Sequence, residues 1–171
     1  MVPASLAVGY LGDFGLTLLS IVLMLLFYFF VTAMQVYKRR QVFTEDYMQQ
    51  FAEEHHRAFG SWKPPKLGYP DMGSGRYSKD LTYSEWFIFN NWQRCHYNFL
   101  EQLTPILIWI LISCLYNPLS SGILGLIYLL GRILYTFGYM STSNKRIYGA
   151  IIMDLSLLGL FVLSLVAIGS L

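Results

Sequence analysis

The stretch Asn90-Asn-Trp-Gln-Arg94-Cys-His-Tyr-Asn98-Phe-Leu-Glu101-Gln-Leu-Thr-Pro105 decides how this chain folds, because it joins a polar helical stripe to a run apolar enough to enter a membrane. Asn90, Arg94, Asn98 and Glu101 fall on one helical face, and residues 103–116 continue the segment without a charge. Charges and amides at membrane depth are costly, so they face a protein interior or a polar cavity, and the default reading is a site. A second stripe answers the first: Tyr128, Arg132, Tyr135, Tyr139 and Arg146 lie at offsets of 4, 7, 11 and 18 along the next apolar segment.

The rest of the chain agrees with a membrane setting. Of its 171 residues, 55% are hydrophobic and only 13% charged, with a mean hydropathy of +0.45, which excludes an ordinary soluble domain. Residues 16–36 carry no charge and are long enough for a hydrocarbon core of about 30 Å. The expectation is an all-α, integral membrane four-helix bundle forming one domain over 1–171, with spans at about 16–37, 84–116, 120–140 and 148–170. Asn117-Pro118 is a short turn, so the second and third helices run antiparallel, and Pro105 is expected to kink the second.

Residues 38–83 form an extended loop between the first two spans. Thr44-Glu45-Asp46 starts an amphipathic helix over 45–59, with Tyr47, Phe51, His55 and Phe59 at helical spacing and Gly60 as its stop. The Pro- and Gly-rich run over 61–75 reads as an ordered loop or linker. Eleven of the twelve basic residues lie between Lys38 and Arg94 or at Lys145 and Arg146. The positive-inside rule therefore puts the first and third loops on the cytosolic or matrix side, with both termini opposite. Residues 1–15 carry no basic residue, so the first span is expected to serve as a signal anchor rather than follow a cleaved leader. Cys95 and Cys114 make no disulfide framework, and Glu53, His55 and His56 read as a solvated face rather than a metal site.

The residues by themselves leave two functions open. Arginines at helix ends pair with carboxylates, tyrosines add stacking surface and a hydroxyl, and Glu101 suits an ammonium, which together describe a pocket for a zwitterionic, multi-carboxylate peptide. The alternative is a satisfied interhelical network in which Arg132 pairs with Asp154, at matching depth roughly 10 Å from the basic face.

The blocks Phe89-Asn90-Asn-Trp-Gln93-Arg94-Cys-His96-Tyr-Asn98-Phe-Leu-Glu101 and Leu130-Gly131-Arg132-Ile-Leu-Tyr135-Thr-Phe-Gly138-Tyr139, followed by Lys145-Arg146 and Gly149, resemble the MAPEG family, the membrane-associated proteins of eicosanoid and glutathione metabolism. The likeness is to its type-3 microsomal glutathione transferases in particular. It implies a homotrimer of four-helix bundles that takes glutathione as co-substrate between subunits and conjugates it to lipophilic electrophiles or reduces lipid hydroperoxides. Carried over by position, Arg94, His96, Asn98 and Glu101 would contact glutathione from the second helix and Arg132, Tyr135 and Tyr139 from the third. Arg39 or Arg40 would join from the first, and Arg146 would activate the thiol. The implied location is the endoplasmic reticulum or nuclear envelope. Segment 41–66 is an insertion relative to the family, and Gln102 stands where leukotriene-forming members carry a tyrosine, so a leukotriene synthase is not expected. The competing expectation is a non-catalytic accessory or scaffold subunit of a larger membrane complex, docking through 41–66, with the mitochondrial membrane as the alternative location. No metal and no nucleic-acid partner is expected in either case.

Overall fold

The computed structural model describes the backbone of residues 4–170 and the side chains of residues 14–170. No strand occurs among the described residues. The helices are α1 (Ala4–Val42), α2 (Glu45–Gln49), α3 (Ala52–Phe59), α4 (Tyr83–Ser113), α5 (Pro118–Ser141) and α6 (Arg146–Gly169), with single 3-10 turns at Lys66–Gly68, Ser78–Asp80 and Ser143–Lys145. Local chemistry sets several of these ends. The Thr82 amide donates to Glu85 and the Glu85 amide to the Thr82 hydroxyl, a reciprocal cap that starts α4. Asn117 accepts from the Ser120 amide and Pro118 takes the first helical position, where its missing N–H costs nothing, so the turn between α4 and α5 is built as its sequence suggests.

Among the described residues, three segments are long and apolar enough to cross a membrane: Phe14–Val42, Pro118–Ser141 and Ser143–Gly169. α4 is not among them, although it is 31 residues long and contains Pro105. Its apolar half is preceded directly by Asn98, Glu101 and Gln102, which dilute any stretch of spanning length.

The expected single helix over 45–59 is two helices, and this is a correction. Phe51 leaves helical geometry (φ −93°, ψ 1°) between α2 and α3. The break lets Met48 and Phe51 both enter a core with Val42, Phe43 and Phe89, so packing overrides the helical period. Only the first half of the expected apolar face is buried, for Phe59 is 76% exposed. Gly60 ends α3 at φ 72°, a left-handed conformation that favours glycine.

The chain divides into two compact units. The first joins α1 up to Phe29 to everything from Asn98 onward, and the second is Phe30–Tyr97. In the first unit, hydroxyls satisfy themselves on backbone carbonyls across helices: Thr17 donates to Pro118, Ser156 to Leu124 and Ser164 to Trp109. Small residues bring α5 and α6 together. A Cβ on Gly131 would lie 2.8 Å from the Met153 amide, and one on Gly149 would lie 2.5 Å from the Gly131 carbonyl, so neither helix tolerates a side chain there.

The second unit has an aromatic core in which Phe43 and Phe89 meet edge to face at 5.4 Å. Fully burying each of these side chains contributes about 1.5–3 kcal/mol. The loop before α4 is ordered by Asp71, which is 5% exposed. It accepts the amides of Gly73 and Gly75 at 2.8 Å and the amide of Ser78 at 2.7 Å, together with the Ser78 hydroxyl. Burial pushes this carboxyl up, but the Ser78 hydroxyl and the three amides together outweigh it and hold it below the usual carboxylate range. Tyr47 donates to the Tyr77 carbonyl, and burial followed by the carboxylates of Asp80, Glu85 and Asp71 pushes its phenol up to about 12, so it stays a donor.

Candidate functional site

Within the first unit the expected polar stripes converge on Arg132. This side chain has no exposed surface. Its guanidinium donates to the Asn98 side-chain oxygen at 2.7 Å, the Asn98 carbonyl at 3.0 Å and the Gln102 oxygen at 3.1 Å. Tyr128 donates to the same Gln102 oxygen at 2.9 Å, tying both donors of α5 to one acceptor on α4. Three rings surround the cation, Phe99 at 4.4 Å, Tyr135 at 5.2 Å and Tyr128 at 5.9 Å from their centroids. Arg132 Nε is buried without a hydrogen-bond partner among the described residues. A full positive charge so placed needs all the acceptors it can get, because unpaired burial of charge is far costlier than any single hydrogen bond returns.

The expected pairing of Arg132 with Asp154 is corrected by this geometry. The ion pairs among the described residues are Arg57–Glu53, Lys66–Glu45, Arg76–Glu54 and Arg76–Asp80, and Asp154 is exposed. Amides rather than a carboxylate hold Arg132. Gln102, read in the sequence only as a departure from a family tyrosine, proves to be the shared acceptor. Its position three residues after Phe99 and four after Asn98, on the inward face of α4, was the available signal.

Beside this centre, Tyr135 and Tyr139 stand 5.7 Å apart by ring centroid. Arg146 is the first residue of α6, half-buried, with its guanidinium 5.1 Å from the Tyr139 ring and, among the described residues, one hydrogen bond, to the Ser143 carbonyl at 2.9 Å. A guanidinium carries five N–H donors, so most of this one's capacity is unspent. The N-terminus of α6 adds a partial positive charge at the same place. Glu101 is exposed and is in none of the ion pairs.

The remaining expected residues belong to the second unit. Arg94 and Arg40 are exposed and His96 is half-buried. Arg39 is fully buried and already engaged: it donates to the Leu67 carbonyl at 3.1 Å and to the Met72 sulfur at 3.4 Å, under the rings of Tyr69 (4.3 Å), Phe89 (5.1 Å) and Phe43 (5.6 Å). Asn90, the first residue of the expected polar stripe, donates to the carbonyls of Gly73 and Trp86. Gln93 donates to the Met72 carbonyl, and Trp86 to that of Gly73. The polar groups at the start of α4 thus hold the Asp71 loop.

Comparison with known proteins gives two findings. The family model described as "MAPEG family" matches residues 14–166. The uncharacterized protein sll1147 of Synechocystis sp. is 41% identical over 76 residues, a match covering 44% of this chain and 56% of that protein, so the chain spans little more than half the length of that relative.

Proposed function

The chain belongs to the MAPEG family, and from that premise we propose that it is a membrane-bound glutathione transferase or peroxidase acting on lipophilic substrates. Family membership supports a membrane glutathione-transferase-like role. The observation that carries the finer reading is Arg146, a guanidinium with spare donors at a helix N-terminus beside two tyrosines. That arrangement suits an anion formed in place.

A free thiol has a pKa of about 8.5, and a neighbouring guanidinium with a helix N-terminus favours its thiolate, the nucleophilic form. In the proposed step the glutathione thiol gives its proton to water and the thiolate stays beside Arg146. Its sulfur lone pair then forms the S–C bond to an electrophilic carbon, and that carbon's leaving group departs with the bonding pair. With a hydroperoxide, the sulfur instead takes the distal oxygen and the alcohol leaves; a second glutathione then displaces the oxygen as water and forms the disulfide. Glu101 would take the peptide's ammonium. Arg132 and Asn98 would set the polar wall, and Tyr135 and Tyr139 would flank the thiol. Arg94 and His96 are proposed contacts on the strength of the sequence resemblance. Four spans including α4, a homotrimer and an endoplasmic reticulum or nuclear envelope location belong to the same proposal.

The test separates affinity from turnover. Arg146→Ala should lower the conjugation or peroxidase kcat at least about tenfold while the calorimetric Kd for glutathione changes less than about threefold, the pattern of an interaction made to the reacting anion. Equal losses in both would remove Arg146 from the chemistry.

One observation favours a second reading. Arg132, Asn98, Gln102 and Tyr128 already hydrogen-bond to one another, as a scaffold bundle would need. A non-catalytic accessory subunit of a larger membrane complex would retain that set, dock through 41–66 and bind no glutathione.

A further inference from the structure

The second unit holds a cavity of about 580 Å³ that the glutathione reading does not use. Its volume falls in the range of about 300–1,000 Å³ usual for small-molecule sites. Arg40, Lys63 and Lys66 line it, and its apolar wall includes the buried Phe43 and Met48 along with Pro65. Glu45 also lines it, but its contact with Lys66 is a solvent-exposed pair at 3.9 Å, weak by nature, so the cations outnumber the carboxylate three to one with little neutralisation. Cationic groups over an apolar wall match an anionic amphiphile better than a freely soluble ion.

The position of the cavity in the chain chooses the source of that amphiphile. Arg40 lies in the last turn of α1, just after the uncharged run over residues 16–36 of that membrane-length helix. The lining residues Arg40 and Phe43 therefore follow the end of that run by roughly 6–10 Å at 1.5 Å per residue, the level of lipid headgroups. Next to Lys63 stands Trp62, 57% exposed and stacked on His56 at 4.0 Å, and Phe59 is 76% exposed. Exposed aromatic rings beside lysines are characteristic of the bilayer interface. Basic clusters just outside a span attract anionic headgroups by about 1 kcal/mol per cation.

We propose that this cavity binds the phosphate headgroup of an anionic glycerophospholipid, with Arg40, Lys63 and Lys66 around the phosphate and Phe43, Met48 and Pro65 against the glycerol and upper chain. A zwitterionic lipid is a poor occupant, because its own ammonium neutralises the phosphate that the three cations would meet.

The test uses the full chain in neutral detergent, with lipid retention read by native mass spectrometry. The probes are dioleoyl phosphatidylglycerol, dioleoyl phosphatidylcholine and glycerol phosphate. Phosphatidylglycerol should bind at least about tenfold more tightly than phosphatidylcholine, and Lys63→Gln with Lys66→Gln should weaken it about 25-fold, about fivefold per cation. The control pair Arg57→Gln with Lys79→Gln removes two charges that do not line the cavity and should change binding less than about twofold. Lys63→Gln alone, expected to give about a fivefold loss, keeps the test open if the double variant fails to fold. Equal binding of the two lipids, an equal loss in the control pair, or binding of glycerol phosphate as tight as that of the lipid would each overturn the proposal, the last assigning the cavity to a soluble phosphate.

Discussion

The two units each bury an arginine completely, and they satisfy it by different means. Arg132 is met by directed acceptors, Asn98 and Gln102, with Tyr128 sharing one of them. Arg39 is met chiefly by ring faces, with one loop carbonyl and a thioether. The difference is instructive because both sit in helices whose sequence reads as site-forming. A guanidinium fixed by amides within apolar helices keeps a defined donor direction and suits a pocket wall. One wrapped in aromatic rings and a folded loop is a packing element, and Arg39 braces that loop through Leu67 and Met72.

Breaking the loop should give the largest effect. Asp71→Ala leaves three amides and a hydroxyl without their acceptor, and hydrogen bonds to a charged group are worth about 1.5–3 kcal/mol each without being additive, so a loss of about 3 kcal/mol is expected. Hydrogen exchange at Gly73 and Gly75 reads it directly. The pH dependence has a definite sign. The Asp71 carboxyl lies below its ordinary value in the folded protein, so its stabilisation is complete above the unfolded carboxylate pKa of about 3.9 and fades as pH falls through the lower folded value. Asp71→Asn should abolish that acid step, and an unchanged step would place it on another group.

An intermediate effect is expected at the other arginine. Asn98→Ala removes the side-chain acceptor of a buried cation and should cost about 1.5–3 kcal/mol in thermal unfolding in detergent, whereas Asn98→Asp should recover most of it. If Asn98→Ala were neutral, Arg132 would not depend on directed acceptors and the contrast between the units would collapse. The smallest effect belongs to Arg39→Lys. It keeps the charge but loses the planar stacking and the fork of donors, and should cost about 1 kcal/mol. A loss as large as that of Asn98→Ala would show the rings to be incidental.

The long apolar helices, the Asn117-Pro118 turn and the meeting of the two polar stripes at Arg132 were legible in the sequence, because period and charge cost leave few choices at membrane depth. The Asp71 loop was not. Its residues read only as turn formers, since nothing local says that Gly73, Gly75 and Ser78 share one carboxylate. The burial of Arg39 against a folded loop was not legible either, because a basic cluster at a span's end looks the same whether it faces solvent or such a loop. The break at Phe51 was hidden by an unbroken helical period. The role of Gln102 was masked by comparison with a family residue instead of with its neighbours on α4.

The central claim is that the polar residues of the first unit serve a glutathione site rather than only a helix interface. Titration of glutathione into the wild-type protein in detergent by calorimetry, with S-methylglutathione as the ligand lacking an ionisable thiol, tests it most directly. The account predicts saturable binding of glutathione, weaker binding of the S-methyl compound, and proton release that rises as pH falls below the ordinary thiol pKa of about 8.5, because the thiolate forms in the site. No binding by a folded wild-type protein would contradict it and leave Arg132, Asn98 and Gln102 as the internal network of a scaffold.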